Sequence, residues 1–373
     1  MVRSGRSHLT ELRLSAFAGH RRVALPLGPF TLFAGPSGCG KSSALRAYEA
    51  LARLAGGIGL GEAFPDPVGC VPERARPDAQ RRRGFRIGCT ADGPQGPVRL
   101  DVAVQAEPEL RIVGERLSAD GVVLLQTALR DPSRPWVQAA WHTAGQSPVT
   151  RAPLPDDRLG TALLPLRVAG KTDGQRRVLA AAEQMVVALR SVFACDPRPD
   201  RMRGRVPVGS GRLLGGCDNL ADVLWRTRVE CGRRHAQLVA AVRAGCAGPV
   251  ADVASEVLGD GTVRALLDRG DGVRTELGRL GDGELRYLAL SLVLLTGPGV
   301  LEVDPVGEVP EAMQTLTVLA DGLDRGLDPG QRAEVVRLAA RMCERGHIRV
   351  VGAVSDASGL AEADGVTVVH LEP

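Results

Sequence analysis

The sequence predicts an α/β fold built around a largely parallel β-sheet. Two observations support this prediction. A glycine-rich turn at residues 35–42 follows an apolar run typical of a strand and precedes a run with the 3.6-residue apolar period of a helix. Toward the carboxyl end, strand-like and helix-like runs alternate. Because consecutive parallel strands are usually joined by a helix, this alternation favours a parallel sheet.

Apolar periodicity places the individual elements. Period-2 and continuous apolar runs predict strands, and period-3.6 runs predict helices. No sustained heptad pattern is present, so we expect no coiled-coil arm. The predicted elements are, in order, strands at 9–17, 23–27 and 29–34, helices at 41–55, 174–193 and 219–244, strand-like segments within 250–268, a helix at 283–295, a strand at 316–320, a helix at 330–344, and strands at 348–354 and 366–371.

Three further segments have a distinct composition. Glycine, proline and arginine dominate residues 56–83, which predicts a loop. Between residue 84 and about residue 126, short apolar runs alternate with turns, and this spacing predicts a meandering antiparallel sheet. Residues 130–160 are again loop-like.

Composition restricts the class of protein. The chain of 373 residues is 44% hydrophobic and 24% charged, as expected of a soluble globular protein, and its formal charge of +4 is a weak indication of nucleic-acid binding. Only Lys41 and Lys171 are lysines among 47 basic residues, so arginine clusters at 80–86 and 198–205 reflect composition more than DNA binding. A lysine that remains is therefore a candidate for a chemical role.

Cysteine usage and apolar runs indicate the compartment. The eight cysteines are scattered singly without metal-ligand spacing, which argues against a zinc site. The first residues lack the apolar core of a signal peptide, and no run approaches 18 apolar residues. We therefore expect a cytoplasmic protein that does not associate with membranes.

The strongest motif is GPSGCGKS, which matches the phosphate-loop pattern G-x-x-x-x-G-K-[ST]. Its backbone N–H groups are expected to surround phosphate oxygens, Lys41 to neutralise the terminal phosphates, and Ser42 to bind Mg²⁺. The usual guanine-reading motif requires an Asn-Lys pair, and Lys171 lies instead in GKTD, so ATP is the expected nucleotide. The expected nucleotide-binding residues of this loop are Gly35, Pro36, Ser37, Gly38, Cys39, Gly40, Lys41, Ser42 and Ser43.

The order of the motifs resembles that of ATP-binding-cassette (ABC) ATPases of the RecF and SMC branch. A strand ending in Phe17 precedes the phosphate loop, and LGRLGDGELRYLALSLVLL at 277–295 is similar to the signature region of that branch. The resemblance implies that two copies enclose ATP, with the signature of one facing the phosphate loop of the other. It assigns Asp282, Gly283 and Glu284 to nucleotide binding, and a homodimer as the working state.

The resemblance also implies an aspartate that binds Mg²⁺ at the end of a strand. Asp321 and Asp304 are the two candidates. In the family an eight-residue run links this aspartate to a subunit-contacting aspartate, and DGLDRGLD at 321–328 fits that frame with aspartate at both ends. Asp304 would need an unusually long connection, so Asp321 is preferred and 297–311 is interpreted as an insertion or edge element.

Three positions depart from the family pattern. Gly322 stands where a catalytic glutamate is usual, Gly281 where the signature serine is usual, and Asp356 near the place of a histidine that contacts the γ-phosphate. Asp324 and Asp356 are candidates for a displaced general base, because a base must lie within hydrogen-bond reach of the attacking water. The expected catalytic residues are thus Lys41, Asp321, Asp324 and Asp356.

The sequence therefore predicts a P-loop ABC-type ATPase head with a mixed-sheet lobe and a helical signature lobe. Residues 1–165 are assigned to the lobe with the phosphate loop and antiparallel sheet, 166–283 to the helical lobe, and 284–373 to the part that completes the nucleotide-binding lobe. One hypothesis is slow or partner-stimulated ATP hydrolysis coupled to dimerisation, in DNA repair or anti-phage defence. The alternative is a hydrolysis-deficient ATP-dependent switch that regulates a protein partner. A transporter ATPase subunit is a weaker third possibility.

Overall fold

A computed structural model describes residues 5–142, 149–303, 314–360 and 365–372. Its strands are β1 (His8–Phe17), β2 (His20–Pro26), β3 (Phe30–Ala34), β4 (Arg83–Asp92), β5 (Val98–Glu107), β6 (Arg111–Ala119), β7 (Val122–Ala128), β8 (Trp136–Trp141), β9 (Thr150–Pro155), β10 (Val192–Cys195), β11 (Val206–Pro207), β12 (Asp252–Val257), β13 (Thr262–Gly270), β14 (Val273–Glu276), β15 (Leu316–Ala320), β16 (Ile348–Val354) and β17 (Val366–His370). Its α-helices are α1 (Lys41–Ala55), α2 (Leu60–Ala63), α3 (Gly160–Leu163), α4 (Asp173–Arg190), α5 (Pro199–Met202), α6 (Leu220–Glu230), α7 (Gly232–Gly245), α8 (Asp282–Leu295) and α9 (Pro329–Glu344).

A fully parallel sheet carries the phosphate loop. Within the described ranges its strand order is β10-β15-β16-β3-β17, so β3 from the amino-terminal part lies between two carboxyl-terminal strands. Every residue of β3 and β15 is buried, as expected for strands covered on both faces. Because all five strands run the same way, the loops that follow β3, β15 and β16 meet at one edge.

The second sheet is antiparallel, in the order β2-β1-β4-β5-β6-β7-β8-β9 over the residues that the structure describes. Its inner face buries alternate side chains such as Leu12, Leu14, Leu100 and Val102. Helix α1 contacts β1 and β4 of this sheet and β15 and β16 of the parallel sheet, so it lies between the two.

Most predicted elements are confirmed. Helix α1 and strands β15 and β16 have the predicted bounds. The segment predicted as a loop at 56–83 contains the short helix α2, and β4, the next strand of the antiparallel sheet, begins at Arg83. The prediction that 130–160 is loop-like is wrong in part, because β8 and β9 extend the antiparallel sheet there. The helix predicted at 219–244 is two helices, α6 and α7, separated by Cys231 in a non-helical conformation (φ −148°, ψ 83°).

The predicted helical part, 166–283, contains sheet as well as helix. Strand β10 belongs to the parallel sheet, and β11–β14 form a small antiparallel sheet packed against α6. The longest described helix, α4, has 18 residues, so the described ranges hold no coiled-coil arm. None of the helices in those ranges combines the length and the apolar character that crossing a membrane requires.

Candidate functional site

The loop between β3 and α1 depends on its glycines. Gly35, Gly38 and Gly40 have positive φ angles of 150°, 89° and 95°, which favour glycine. A Cβ atom at Gly35 would lie 2.4 Å from the Leu371 carbonyl oxygen, and one at Gly40 would lie 2.5 Å from Nε2 of His20. The loop therefore cannot carry side chains at these two positions without moving its neighbours.

His20 is a residue of this site that the motif did not reveal. It is buried at the end of the first hairpin, and its Nε2 lies 3.0 Å from the carbonyl oxygen of Gly40, which accepts the hydrogen bond. His20 thus fixes the last glycine before α1. In the sequence it stands only as the first residue after the turn between β1 and β2, and this position does not indicate such a contact.

Lys41 and Ser42 begin helix α1 and face the loop and the neighbouring strand ends. The ammonium of Lys41 donates to the carbonyl oxygens of Gly35 (2.5 Å) and Pro36 (2.8 Å). The hydroxyl of Ser42 donates to Oδ1 of Asp321, 3.0 Å away. The structure thus brings the lysine and serine of the motif and the strand-end aspartate together at the amino end of one helix, where the helix dipole favours anions.

A cavity of about 540 Å³ opens beside these residues. Its size lies in the usual range for small-molecule sites. Three loops line it, one from the phosphate loop, one from the turn after β15 and one from the end of β16. The lining residues are Ser37, Gly38, Gly40, Lys41, Ser42, Ser43, Asp321, Gly322, Asp324, Arg325, Gly326, Ala353, Val354 and Ser355.

The donors at this cavity suit Mg²⁺ bound together with phosphate. Mg²⁺ is usually held by one or two protein oxygens, and phosphate and water oxygens complete its shell. The Ser42 hydroxyl and the Asp321 carboxylate are oxygens of this kind on adjacent walls. The other candidate aspartate, Asp304, lies outside the described residues.

The turn after β15 is anchored to the end of β16. The N–H of Leu323 donates to the Ala353 carbonyl (2.9 Å), and the N–H of Ser355 donates to Oδ2 of Asp324 (2.8 Å). These bonds hold Asp324 on the cavity wall. Asp328, the predicted subunit-contacting aspartate, caps α9 by accepting from the N–H of Gln331 (2.9 Å).

Asp356 is oriented differently from Asp324. It is exposed, and its carboxylate accepts from the hydroxyl (2.6 Å) and the N–H (2.8 Å) of Ser358. The hydrogen bond from the Ser358 hydroxyl makes the largest contribution, and with the bond from the N–H it holds the pKa of Asp356 below its usual range. Asp356 is absent from the cavity lining, so of the two candidate bases only Asp324 faces the cavity.

An arginine lies beside Gly322, the position where the resemblance to ABC ATPases leads us to expect a glutamate. Gly322 has φ +61°, and a Cβ atom there would lie 2.8 Å from Nε and 2.9 Å from Nη2 of Arg325. The guanidinium therefore lies in the space that a side chain at residue 322 would enter. Neither Arg325 nor its partner Asp196, 3.3 Å away, was identified from the sequence: Arg325 lies within the run DGLDRGLD but at a position to which the frame assigns no role, and no motif contains Asp196.

The signature segment lies outside the cavity of its own chain. Helix α8 begins at Asp282, which pairs with Arg203, and Glu284 accepts from the N–H of Ala247 (3.2 Å) and of Gly281 (3.4 Å). A Cβ atom at Gly283 would lie 2.4 Å from the carbonyl oxygen of Gly326. This close approach packs the start of α8 against the turn after β15.

Arg286 links helix α8 to the same turn. Its side chain is buried, and it donates to the Pro197 carbonyl (2.5 Å), to Oδ1 of Asp196 (3.2 Å) and to the Gly322 carbonyl (3.0 Å). A second cavity, of about 350 Å³, shares Ser42 and Asp321 with the first and has Asp196 on its wall. Asp196 thus lies beside the predicted metal-binding residues.

Comparisons with known proteins identify the fold. No family model and no curated protein matches the chain. The crystal structure of an SMC head bound to the C-winged helix domain of ScpA matches with a TM-score of 0.53 at 12% identity, over 97% of this chain and 94% of that chain. An SMC head domain with an extended coiled coil, bound to the C-terminal domain of ScpA derived from Pyrococcus furiosus, matches with a TM-score of 0.52 at 9% identity, over 98% and 94%.

At this identity the likeness concerns the fold alone. The predicted resemblance to the SMC branch is confirmed at that level, and the finer assignment to a stand-alone RecF-like form stays a prediction. The chain has a mixed α/β fold similar to that of SMC head domains, which is the fold of ABC-type ATPases.

Proposed function

We propose that this chain binds ATP with Mg²⁺ at the cavity beside Lys41 and associates with a second copy when it does so. The observation that carries the proposal is the hydrogen bond between Ser42 and Asp321 at the amino end of α1, beside the Lys41 ammonium. A hydroxyl, a carboxylate and an ammonium at one helix terminus are the set that binding of a nucleotide phosphate with a divalent cation requires.

Each part of the loop has a distinct role in this proposal. The N–H groups of residues 37–43 surround the phosphates, and the Lys41 ammonium exchanges the loop carbonyls for phosphate oxygens. Ser42 and Asp321 would hold Mg²⁺, which supplies neutralisation of the phosphate charge when it is bound. His20 keeps Gly40 in the conformation that the loop needs.

Association of two copies follows from the position of the signature segment. Asp282, Gly283 and Glu284 lie outside the cavity of their own chain, so their predicted contact with nucleotide requires a second copy. The amino end of α8 supplies N–H groups and a positive dipole end to that contact. The absence of a hydroxyl at Gly281 removes one donor from it.

Hydrolysis is proposed to be slow. Gly322 offers no carboxylate, and the adjacent space holds the positively charged Arg325. Asp324 is the remaining candidate base, because its carboxylate lines the cavity. A positioned general base typically contributes 10²–10⁴-fold to a rate, so a displaced base is consistent with a low rate that a partner stimulates.

The second candidate function is a hydrolysis-deficient switch. The observation that favours it is the guanidinium of Arg325 in the place of the glutamate side chain, since a cation there stabilises bound triphosphate and cannot accept a proton from water. Such a protein would change its association with a partner when it binds ATP. The SMC heads to which this chain is similar are bound to ScpA in their crystal structures, which supports a protein partner for it.

One set of measurements tests the proposed function. Labelled ATP and Mg²⁺ are titrated against the wild type and Lys41→Ala, and mass is followed by light scattering with and without ATP. We expect the variant to lose at least about tenfold in affinity and the ATP-dependent dimer with it, a loss of about 1.4 kcal/mol or more. Equal affinity in the two proteins would contradict the proposal.

Phosphate release separates the two candidates. Release at or above about one per minute that is absent in Lys41→Ala would support a slow ATPase, because it depends on the phosphate loop; ordinary enzymes turn over faster, at about 1–10³ per second. Release that stays at the level of Lys41→Ala would support the switch. The same assay with double-stranded DNA at low and high salt tests the proposed place in DNA repair or anti-phage defence, because phosphate-backbone binding weakens steeply with salt.

A further inference from the structure

We propose that Arg325 contacts the terminal phosphate of the bound nucleotide, and that Asp196 holds it aside until that phosphate arrives. This inference rests on the proposed function, because it assigns a further residue to the same site. It also states why the chain has glycine at residue 322.

The position of Arg325 places its charge within the phosphate cavity. Among the described residues that line this cavity, Lys41 and Arg325 carry positive charge. Lys41 projects from the loop side, whereas Arg325 projects from the turn after β15, on the wall that also carries Asp321 and Asp324. A triphosphate whose terminal phosphate lies beside Lys41 would therefore meet a second cation, supplied by the turn after β15.

The ion pair that holds Arg325 is weak enough to exchange. Nη1 of Arg325 lies 3.3 Å from Oδ1 of Asp196, and the two side chains are 56% and 42% exposed. Exposed pairs of this kind contribute little to stability. A phosphate can accept two parallel charge-assisted hydrogen bonds from one guanidinium, which is a stronger interaction than this single exposed contact.

The exchange does not leave Asp196 without a partner. Its carboxylate Oδ1 also accepts from the buried guanidinium of Arg286, 3.2 Å away. Arg286 in turn donates to the Gly322 carbonyl and belongs to helix α8. Movement of Arg325 toward phosphate therefore changes the charge around Arg286, and through it the start of the signature helix that the proposed dimer uses.

Gly322 leaves room for this arrangement. The guanidinium lies 2.8–3.0 Å from the Cβ atom that any other residue would place there, and φ +61° disfavours such a residue independently. A glutamate at residue 322 would displace Arg325 or pair with it. Gly322 and Arg325 thus act together in this proposal. Where a glutamate would accept a proton, the chain has a cation that binds phosphate.

The test compares affinities for Mg²⁺·ATP and Mg²⁺·ADP in the wild type, Arg325→Ala, Arg325→Lys and Asp196→Asn. A contact to the terminal phosphate predicts that Arg325→Ala weakens ATP binding about tenfold and changes ADP binding less than about twofold. Arg325→Lys should restore part of the ATP affinity, because it keeps the charge but not the paired donors. Asp196→Asn, which keeps an acceptor for Arg286, should leave ATP affinity equal or raise it.

Arg201→Ala is the matched control. Arg201 is 55% exposed and pairs with Asp218 at 3.4 Å, but it lines only the second cavity, so its removal should not change the ratio of ATP to ADP affinity. A ratio that stays at the wild-type value in Arg325→Ala, or an ATP affinity that falls in Asp196→Asn, would overturn the inference. Failure of the wild type to bind either nucleotide would instead overturn the proposed function. Unchanged thermal unfolding temperatures confirm that each variant is folded.

Discussion

The hydroxyl of Ser42 donates to the carboxylate of Asp321 across 3.0 Å, although 279 positions separate the two residues in the chain. Ser42 lies in the first turn of α1, after β3, and Asp321 directly follows β15. Strand β16 lies between β3 and β15, and all three run in parallel. The pairing therefore depends on the assembly of the amino- and carboxyl-terminal parts into one sheet, and it is the point at which the two halves of the proposed site meet.

Replacement of Asp321 tests the metal-binding half of that pair. We expect Asp321→Asn to lose about tenfold or more in affinity for ATP when Mg²⁺ is present and to show little change in EDTA, because the amide keeps the hydrogen bond from Ser42 but removes the charge that attracts the cation. Titration calorimetry with and without Mg²⁺ measures both values. Asp356→Asn is the control. An equal loss of ATP affinity in this variant would mean that the affinity depends on negative charge near the site and not on Asp321 as a metal ligand.

Local patterns in the sequence account for the elements but not for the contacts between them. Apolar periodicity gave the bounds of α1, β15 and β16, and the motif gave Lys41 and Ser42, because both depend on neighbours in sequence. Strands β8 and β9 were not predicted because arginine, proline and serine interrupt the apolar pattern of 130–160. These strands form by pairing with β7 and with each other at the edge of the sheet, and the local sequence does not show this pairing. Cys231 splits a helix whose apolar pattern is continuous across it.

The least predictable part of the site is the arrangement of arginines. The sequence places Arg286 in the signature region but does not predict its hydrogen bonds. Its partners Pro197 and Gly322 lie 89 and 36 positions away in the chain. Asp196 belongs to no motif, and Arg325 lies at a position of DGLDRGLD to which the family frame assigns no role. In a chain with 47 basic residues, a single functional arginine has no compositional signal, and only the assembled fold distinguishes it.

Two glycines at the start of α8 are predicted to differ in their tolerance of a side chain. A Cβ atom at Gly283 would lie 2.4 Å from the backbone oxygen of Gly326, whereas one at Gly281 would have no atom within 4 Å. Gly283→Ala should therefore lower the free energy of unfolding by about 1–3 kcal/mol through overpacking. Gly281→Ala should change it by less than about 0.5 kcal/mol. Urea denaturation measures both, and equal values would contradict the close packing of α8 on the turn.

The same open space at Gly281 allows the missing signature hydroxyl to be restored. Gly281→Ser should strengthen ATP-dependent dimerisation by about threefold or more, because it adds a hydrogen-bond donor at a charged ligand. Gly281→Ala adds the Cβ atom without the hydroxyl and is the matched control. Sedimentation at several protein concentrations with ATP measures the dimer constants. Equal constants for the serine and alanine variants would argue against a contact between this position and nucleotide.

Asp324 and Asp356 are predicted to differ in their effect on hydrolysis. Asp324→Asn keeps an oxygen that accepts from Ser355, so the turn should stay in place while the proton acceptor is lost, and phosphate release should fall by about 10²-fold. Asp356→Asn should change it by less than about twofold. Since the pKa of Asp356 is held below its usual range, this carboxylate stays ionised at and above that range and adds no limb to the pH–rate profile near neutrality. If both variants retain the wild-type rate, neither carboxylate is the base.

Restoring glutamate at residue 322 alone is expected to fail. The backbone there has φ +61°, which is strained for any residue but glycine, so Gly322→Glu should lower stability by about 1–3 kcal/mol. The guanidinium of Arg325 lies beside this position and would pair with the new carboxylate, so phosphate release should be no higher than in the wild type. The double variant Gly322→Glu with Arg325→Ser removes the steric conflict and the opposing charge. Release by this double variant should exceed that of either single variant, since the carboxylate can then enter the cavity. Faster release by Gly322→Glu alone would show that the turn adapts freely and that Arg325 does not exclude the glutamate.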